Sequence, residues 1–134
     1  MFEQHGSFKV WADGNVVIAD LKGAWNKEAA LNFEQELMKV AQDMPEKWGH
    51  LVYLNDWELC DPAMFPVIER LVAWCIKHGL TRAANVYPKS AVKEEFINKM
   101  VVDEFGDFKR AVFDNQADAA IWLKKYGYTA ASYM

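Results

Sequence analysis

Three short apolar runs, HLVYLN from His50, RAANVYP from Arg82 and FKRAVF from Phe108, each lead into a stretch whose apolar residues recur at helical spacing. This alternation constrains the fold more than any other feature of the chain. A short apolar run bounded by turn residues is the pattern of a strand covered on both faces. Strands that alternate with helices need crossover connections, and crossovers pair strands in parallel. The fold class is therefore α/β.

The segments around these runs complete the order of elements. Phe8 to Val10 alternates, Asp13-Gly14-Asn15 supplies turn chemistry, and VVIADLKGAW from Val16 is rich in β-formers, which predicts an opening hairpin. Asn26 is placed to cap a first helix carrying Ala30, Phe33, Leu37, Val40 and Met44 until Met44-Pro45 stops it. A second helix follows Asp61-Pro62, with Met64, Val67, Ile68, Leu71, Val72 and Cys75 on one side and His78-Gly79 at its end. Pro66 predicts a kink or a tight first turn there, because proline lacks a donor that the helix needs. Ser90 caps a third helix, with Val92, Phe96, Ile97, Met100 and Val101, that runs to Gly106. Asp114 or Asn115 caps a fourth, with Ala117, Ala120, Ile121 and Lys124 on one side. The predicted order is β-β-α-β-α-β-α-β-α, a mostly parallel mixed sheet with one antiparallel edge. Residues 1–134 should form a single domain, with only the tail 128–134 free to fray.

Charge and composition narrow the function. A net charge of −4 lacks the Lys and Arg clustering that nucleic acid or an anionic membrane requires. No apolar stretch is long enough for an integral membrane segment, and MFEQHGSFKV lacks the pattern of a secretory leader, so a cytoplasmic location is expected. Cys60 and Cys75 are the only cysteines, too few for a disulfide framework.

Three passages carry a resemblance: VVIADLKGAW leading into the first helix, LVYLNDWELCDP joining strand to second helix, and the close AVFDNQADAAIWL. From Phe8 to Gly127 the chain resembles the STAS domains, and especially the stand-alone bacterial SpoIIAA-like proteins related to anti-sigma-factor antagonists. The resemblance implies a non-enzymatic regulatory module that binds a protein partner. In the antagonist branch an Asp-Ser-Ser-Gly segment opens the second helix and holds a phosphorylated serine. The matching segment here is Asp61-Pro62-Ala63-Met64, so the phosphoacceptor position holds Pro62 and its neighbour Ala63 also lacks a hydroxyl. The same broad fold is shared with CRAL-TRIO lipid-binding domains, which implies a second function, carriage or sensing of a small hydrophobic ligand.

Candidate chemistry concentrates at LNDWELCDPAMF. Cys60 precedes a helix start, which favours a thiolate, but Glu58 and Asp61 oppose one and leave it a small core residue. Asp61 is accounted for by capping, and Asp56 and Glu58 by a solvated loop, so neither a metal site nor an acid–base pair is expected. His5, His50 and His78 lack ligand spacing and read as surface or helix-end residues. The glycines never form a phosphate-cradling loop, and no serine sits in a nucleophile elbow. No cofactor and no catalytic residue is expected. The six tryptophans, Trp11, Trp25, Trp48, Trp57, Trp74 and Trp122, either fill a core with Met38, Met64 and Met100 or line a pocket or partner surface. The residues expected to meet a partner or ligand are Asp56, Trp57, Glu58, Cys60, Asp61 and Met64. The hairpin edge and exposed aromatics also suit a homodimer.

Overall fold

The computed structural model describes residues 3–59, 61–88, 91–98 and 101–131. The chain opens with the expected hairpin. Strands β1 (Ser7–Asp13) and β2 (Val16–Trp25) pair antiparallel from Ser7↔Lys22 to Asp13↔Val16. Helix α1 (Lys27–Ala41) is capped by Asn26, whose Oδ1 accepts the Ala29 N–H at 3.1 Å. It ends short of the Met44-Pro45 stop, where Met44 N–H closes a turn on the Ala41 carbonyl.

Strand β3 (Trp48–Leu59) begins before HLVYLN and runs through the passage expected to be a loop. The reason lies in its partner. After a bulge between Asp20 and Lys22, β2 resumes pairing and matches Lys22 to Asp56 and Trp25 to Leu59. The backbone of residues 56–59 therefore bonds to β2, and only the outward side chains meet solvent. A single 3₁₀ turn (Pro62–Met64) follows, with Asp61 Oδ1 accepting the Ala63 N–H at 2.9 Å, and runs into α2 (Phe65–Lys77). This is the tight first turn that Pro66 predicts: Pro66 falls in the first turn of α2, where amides have no intrahelical acceptor to lose.

Strand β4 (Leu80–Val86), helix α3 (Ala91–Asn98), strands β5 (Glu104–Phe105) and β6 (Phe108–Phe113) and helix α4 (Gln116–Lys125) complete the fold. The assigned α3 ends before the expected Gly106, and the expected cap Ser90 and residue Met100 lie outside the described residues. Glu104 and Phe105 form a short antiparallel pair with β6, turning at Gly106. The sequence pattern does not show this strand. The strand order is β1-β2-β3-β4-β6-β5, with β2, β3, β4 and β6 parallel and an antiparallel pair at each edge.

The sheet separates two cores. Val17, Ala19, Leu21, Val52, Leu54 and Ala83 pack under α1, α2 and Ile97 of α3. Val16, Ile18, Leu51, Ala84 and Val86 pack against Ala119 and Leu123 of α4. The expected face of α4 is off by about one residue of rotation. Ala120 is buried as expected, but Ala119 and Leu123 complete the inner face, and Ile121 is 68% exposed. Alanines on both sides of this helix conceal its phase in the sequence.

Of the tail, residues 128–131 dock on the hairpin turn. Thr129 N–H donates to Asn15 Oδ1 at 2.9 Å, Ala131 N–H to Asp13 Oδ1 at 3.0 Å, and Tyr128 and Ala130 are buried. Gly14 makes this docking fit, since it takes a φ of +62° and a side chain on it would run into the Thr129 carbonyl. Gly14→Ala is expected to lower unfolding free energy by about 1–3 kcal/mol, through left-handed strain plus displacement of the tail. Urea denaturation checks this, and an unchanged midpoint would show that the tail docking contributes nothing.

Candidate functional site

The pleat of β3 divides the expected site into an outside and an inside. Asp56 and Glu58 are exposed, whereas Trp57 between them is 4% exposed. Its ring meets Trp25 edge-on at 5.6 Å, and Trp25 packs in the same way on Phe33 and Phe8. Met64 is fully buried in the same core, and Asp61 is occupied with capping. Cys60 lies outside the described residues. The six residues therefore do not form one surface patch.

Trp57 lines a partly open cavity of about 90 Å³. Its roof is apolar, formed by Phe33 and Leu37 of α1, Leu71 and Cys75 of α2, and Ile97 of α3. Its floor is the sheet, and three polar side chains stand in it: His50 on β3, Asn85 on β4 and Arg110 on β6. His50 and Arg110 both pair with Ala83 in the parallel ladders, so the sheet itself sets them in a row. A cavity of this size has room for a few waters or a short-chain molecule, and is smaller than the roughly 150 Å³ that admits benzene.

His50 corrects the sequence expectation, since it is neither a surface nor a helix-end residue. Its Nδ1 lies 2.7 Å from the Val17 carbonyl, which only accepts, so Nδ1 carries the proton of the neutral ring and Nε2 is left as an acceptor. Burial pushes its pKa down to about 4, against the smaller opposing effect of the Val17 bond. The period-two spacing of His50, Val52 and Leu54 in HLVYLN was the signal that could have placed it inward. His78, by contrast, is at a helix end as expected, stacked on Trp74 at 4.2 Å.

Arg110 was not anticipated. Its side chain is 3% exposed and held by Asn85 Oδ1 and Asn98 Oδ1, each at 2.8 Å, and by the exposed Asp103 carboxylate at 2.6 Å. Its Nε–H is buried with no hydrogen-bond partner among the described residues. Trp57 shares that condition. The indole N–H of Trp25 donates to the Ser7 and Lys22 carbonyls and that of Trp48 to the His78 carbonyl, but that of Trp57 is buried and unpaired. The Tyr87 hydroxyl, beside the Arg110 guanidinium, is buried too and has no partner of good hydrogen-bond geometry among the described residues. Each such group costs about 1–3 kcal/mol of lost hydration.

Desolvation pushes the Cys75 thiol up to about 12, and among the described residues no cluster of His, Cys, Asp or Glu is built to hold a metal ion. No helix of the described residues is long and apolar enough to cross a membrane.

The sheet order, the two helical layers and the strand-to-helix passage define the SpoIIAA-like fold. A solved structure with this fold, an uncharacterized protein of the DUF3478 family from Shewanella loihica PV-4, superimposes with a TM-score of 0.68, covering 92% of this chain and 97% of that one at 10% identity. No family model matches the sequence, and no curated protein does.

The low pKa of His50 sets a pH dependence. Between pH 6.5 and about 4 the unfolded chain takes up a proton that the native ring refuses, so stability present above 6.5 is lost progressively down to 4. The loss from this residue should be roughly 3 kcal/mol. Urea titrations of the wild type and His50→Gln across that window should show the variant's stability falling less steeply. Parallel curves would mean that His50 is freely hydrated.

Proposed function

We propose that this chain is a non-catalytic binding module that carries or senses a small hydrophobic ligand in the cavity under Trp57 and signals its occupancy to a protein partner. The observation that carries the reading is the apolar cavity whose wall contains buried donors without a hydrogen-bond partner among the described residues. Folding leaves such groups bare at a cost, and a ligand that satisfies them recovers it.

The partner contact rests on the pleat. Trp57 faces the cavity while its neighbours Asp56 and Glu58 face solvent, so a shift of the strand end on ligand binding reaches the surface within one residue. Asp61, capping the following turn, sets where α2 begins and belongs to the same contact, and Met64 anchors that turn in the core. In antagonist relatives the start of this helix is where phosphorylation acts. Pro62 and Ala63 offer no hydroxyl, and ligand occupancy takes over the switching role in this proposal.

Ala83→Leu tests the cavity, because Ala83 lies on its floor between His50 and Arg110. Native mass spectrometry of wild-type protein purified from cells should show a co-purifying apolar molecule that the variant lacks. Glu58→Lys tests the surface, and reversal of this charge should slow capture of the partner from extract roughly tenfold while ligand is retained. An apo mass for both proteins would remove the ligand, and unchanged recovery of every protein with Glu58→Lys would remove the contact.

A further inference from the structure

The two edges of the sheet differ. At one end β5 has two residues, whereas at the other β1 pairs with β2 over seven residues with no break in register and no proline. Edge strands of that length and regularity are usually shortened, kinked or covered, because their outward amides and carbonyls template another strand. We propose that the occupant of this edge is a second copy of the chain: two β1 strands pair antiparallel about a two-fold axis and join two sheets into one. The contact is separate from the cavity and rests on nothing in it.

The neighbouring ladder shows which backbone groups face outward. The Asn15 carbonyl accepts the N–H of Gly49 in β3 at 3.0 Å, so the next residue, Val16, turns its backbone toward β1, and Ile18 and Asp20 follow by alternation. Their partners Asp13, Trp11 and Lys9 are thus bonded inward. Phe8, Val10 and Ala12 present N–H and C=O to the outside, and among the described residues no backbone group from beyond the hairpin bonds to them. The side chains alternate as well. Phe8 and Val10 pack on the core under α1, whereas Lys9, Trp11 and Asp13 share the opposite face, with Lys9 exposed and Trp11 38% exposed.

That face is complementary to itself. With the axis between the two Trp11 residues, Lys9 stands opposite the partner's Asp13, Asp13 stands opposite the partner's Lys9, and the two indoles meet across the axis. Val10 and the partner's Ala12 then exchange both backbone hydrogen bonds, and Ala12 does the same with the partner's Val10. An axis at Lys9 would set two ammonium groups against each other, and an axis at Val10 or Ala12 would part each lysine from its aspartate. Opposite charges facing across a ladder stabilise it and like charges oppose it, which selects the Trp11 register. Asp13 keeps its Oδ1 bond to the Ala131 N–H, since a carboxylate accepts several hydrogen bonds. One strand per protomer makes a small isologous interface, at the weak end of specific contacts.

Sedimentation of the full chain over a concentration series reads the assembly directly, and the wild-type protein should pass from monomer to dimer in the micromolar range. Ala12→Pro removes an outward N–H, no intrachain bond and no buried side chain, so this variant should stay monomeric with unchanged far-UV circular dichroism. Lys9→Glu sets like charges together at both symmetric positions and should weaken association roughly tenfold at low salt, the loss shrinking as salt is added. Should the proline variant unfold, Lys9→Glu, which leaves the backbone alone, decides by itself. Register is read by cross-linking. Facing Trp11 residues form a non-hydrogen-bonded pair with Cα atoms about 4.5 Å apart, within the span of a disulfide. Oxidised Trp11→Cys should therefore yield a peptide joined to its own copy at that position, and Val10→Cys should not. A wild-type monomer at every concentration overturns the inference and leaves the edge to a strand of another protein. A dimer that neither Ala12→Pro nor Lys9→Glu weakens overturns β1 as its seam, and cross-linking at Val10 in place of Trp11 overturns the register.

Discussion

The parallel ladder between β2 and β3 does not stop at the bulge after Asp20 but continues to Trp25↔Leu59, and the rest of the site depends on that extension. Had β3 ended at Asn55, where the apolar run ends, the acidic stretch after it would be a loop and Trp57 would have no fixed direction. Backbone pairing instead holds residues 56–59 in a pleat, and the pleat sends consecutive side chains to opposite faces. Trp57 is thereby driven against Trp25, which its own indole bonds to Ser7 and Lys22 fix in place. The aromatic wedge formed with Phe33 and Phe8 closes one end of the core under α1.

How far the sequence reveals this follows from which forces are local. The hairpin, the Asn26 cap, the Asp61 cap and the turn after α2 rest on neighbouring residues, and their residue types announce them. The length of β3 is set by β2, far away in sequence, so the polar letters of NDWEL read as loop. The same holds for Arg110: a cation inside FKRAVF looks like an outward-facing strand residue until the carboxamides of Asn85 and Asn98 and the carboxylate of Asp103 converge on it. The two-residue β5 and the docking of Tyr128 on the second core escape for a related reason. One depends on pairing with β6, and the other on the acceptors that Asp13 and Asn15 offer at the hairpin turn.

The polar row on the cavity floor is costly, and its cost is unevenly met. Asn85 and Arg110 satisfy each other in part, and Asp103 supplies countercharge from the surface. Replacing such a group with hydrocarbon is often neutral or stabilising in proteins, so stability alone gives no reason for a guanidinium here. His50 adds to the same account, because holding it neutral far below its ordinary range sacrifices stability in mildly acidic solution. A core filled only for packing would place aliphatic residues at all three positions.

Under the proposed function, signalling has to operate without a hydroxyl at the start of α2. A phosphate at a helix N-terminus acts through charge on the first turn. In this chain the first turn is a 3₁₀ segment whose Pro62 has no hydroxyl to phosphorylate and whose Met64 is fully buried. Its position is set by Asp61 from outside and by core packing from inside. Any rearrangement of Trp57 on filling the cavity bears on the strand end immediately before this turn. The exposed carboxylates of Asp56 and Glu58 are carried on that same strand end, so in the proposed function displacement of a buried indole would be converted there into a change of surface charge geometry. Switching of this kind needs only that the empty and filled cavities favour different positions of one side chain.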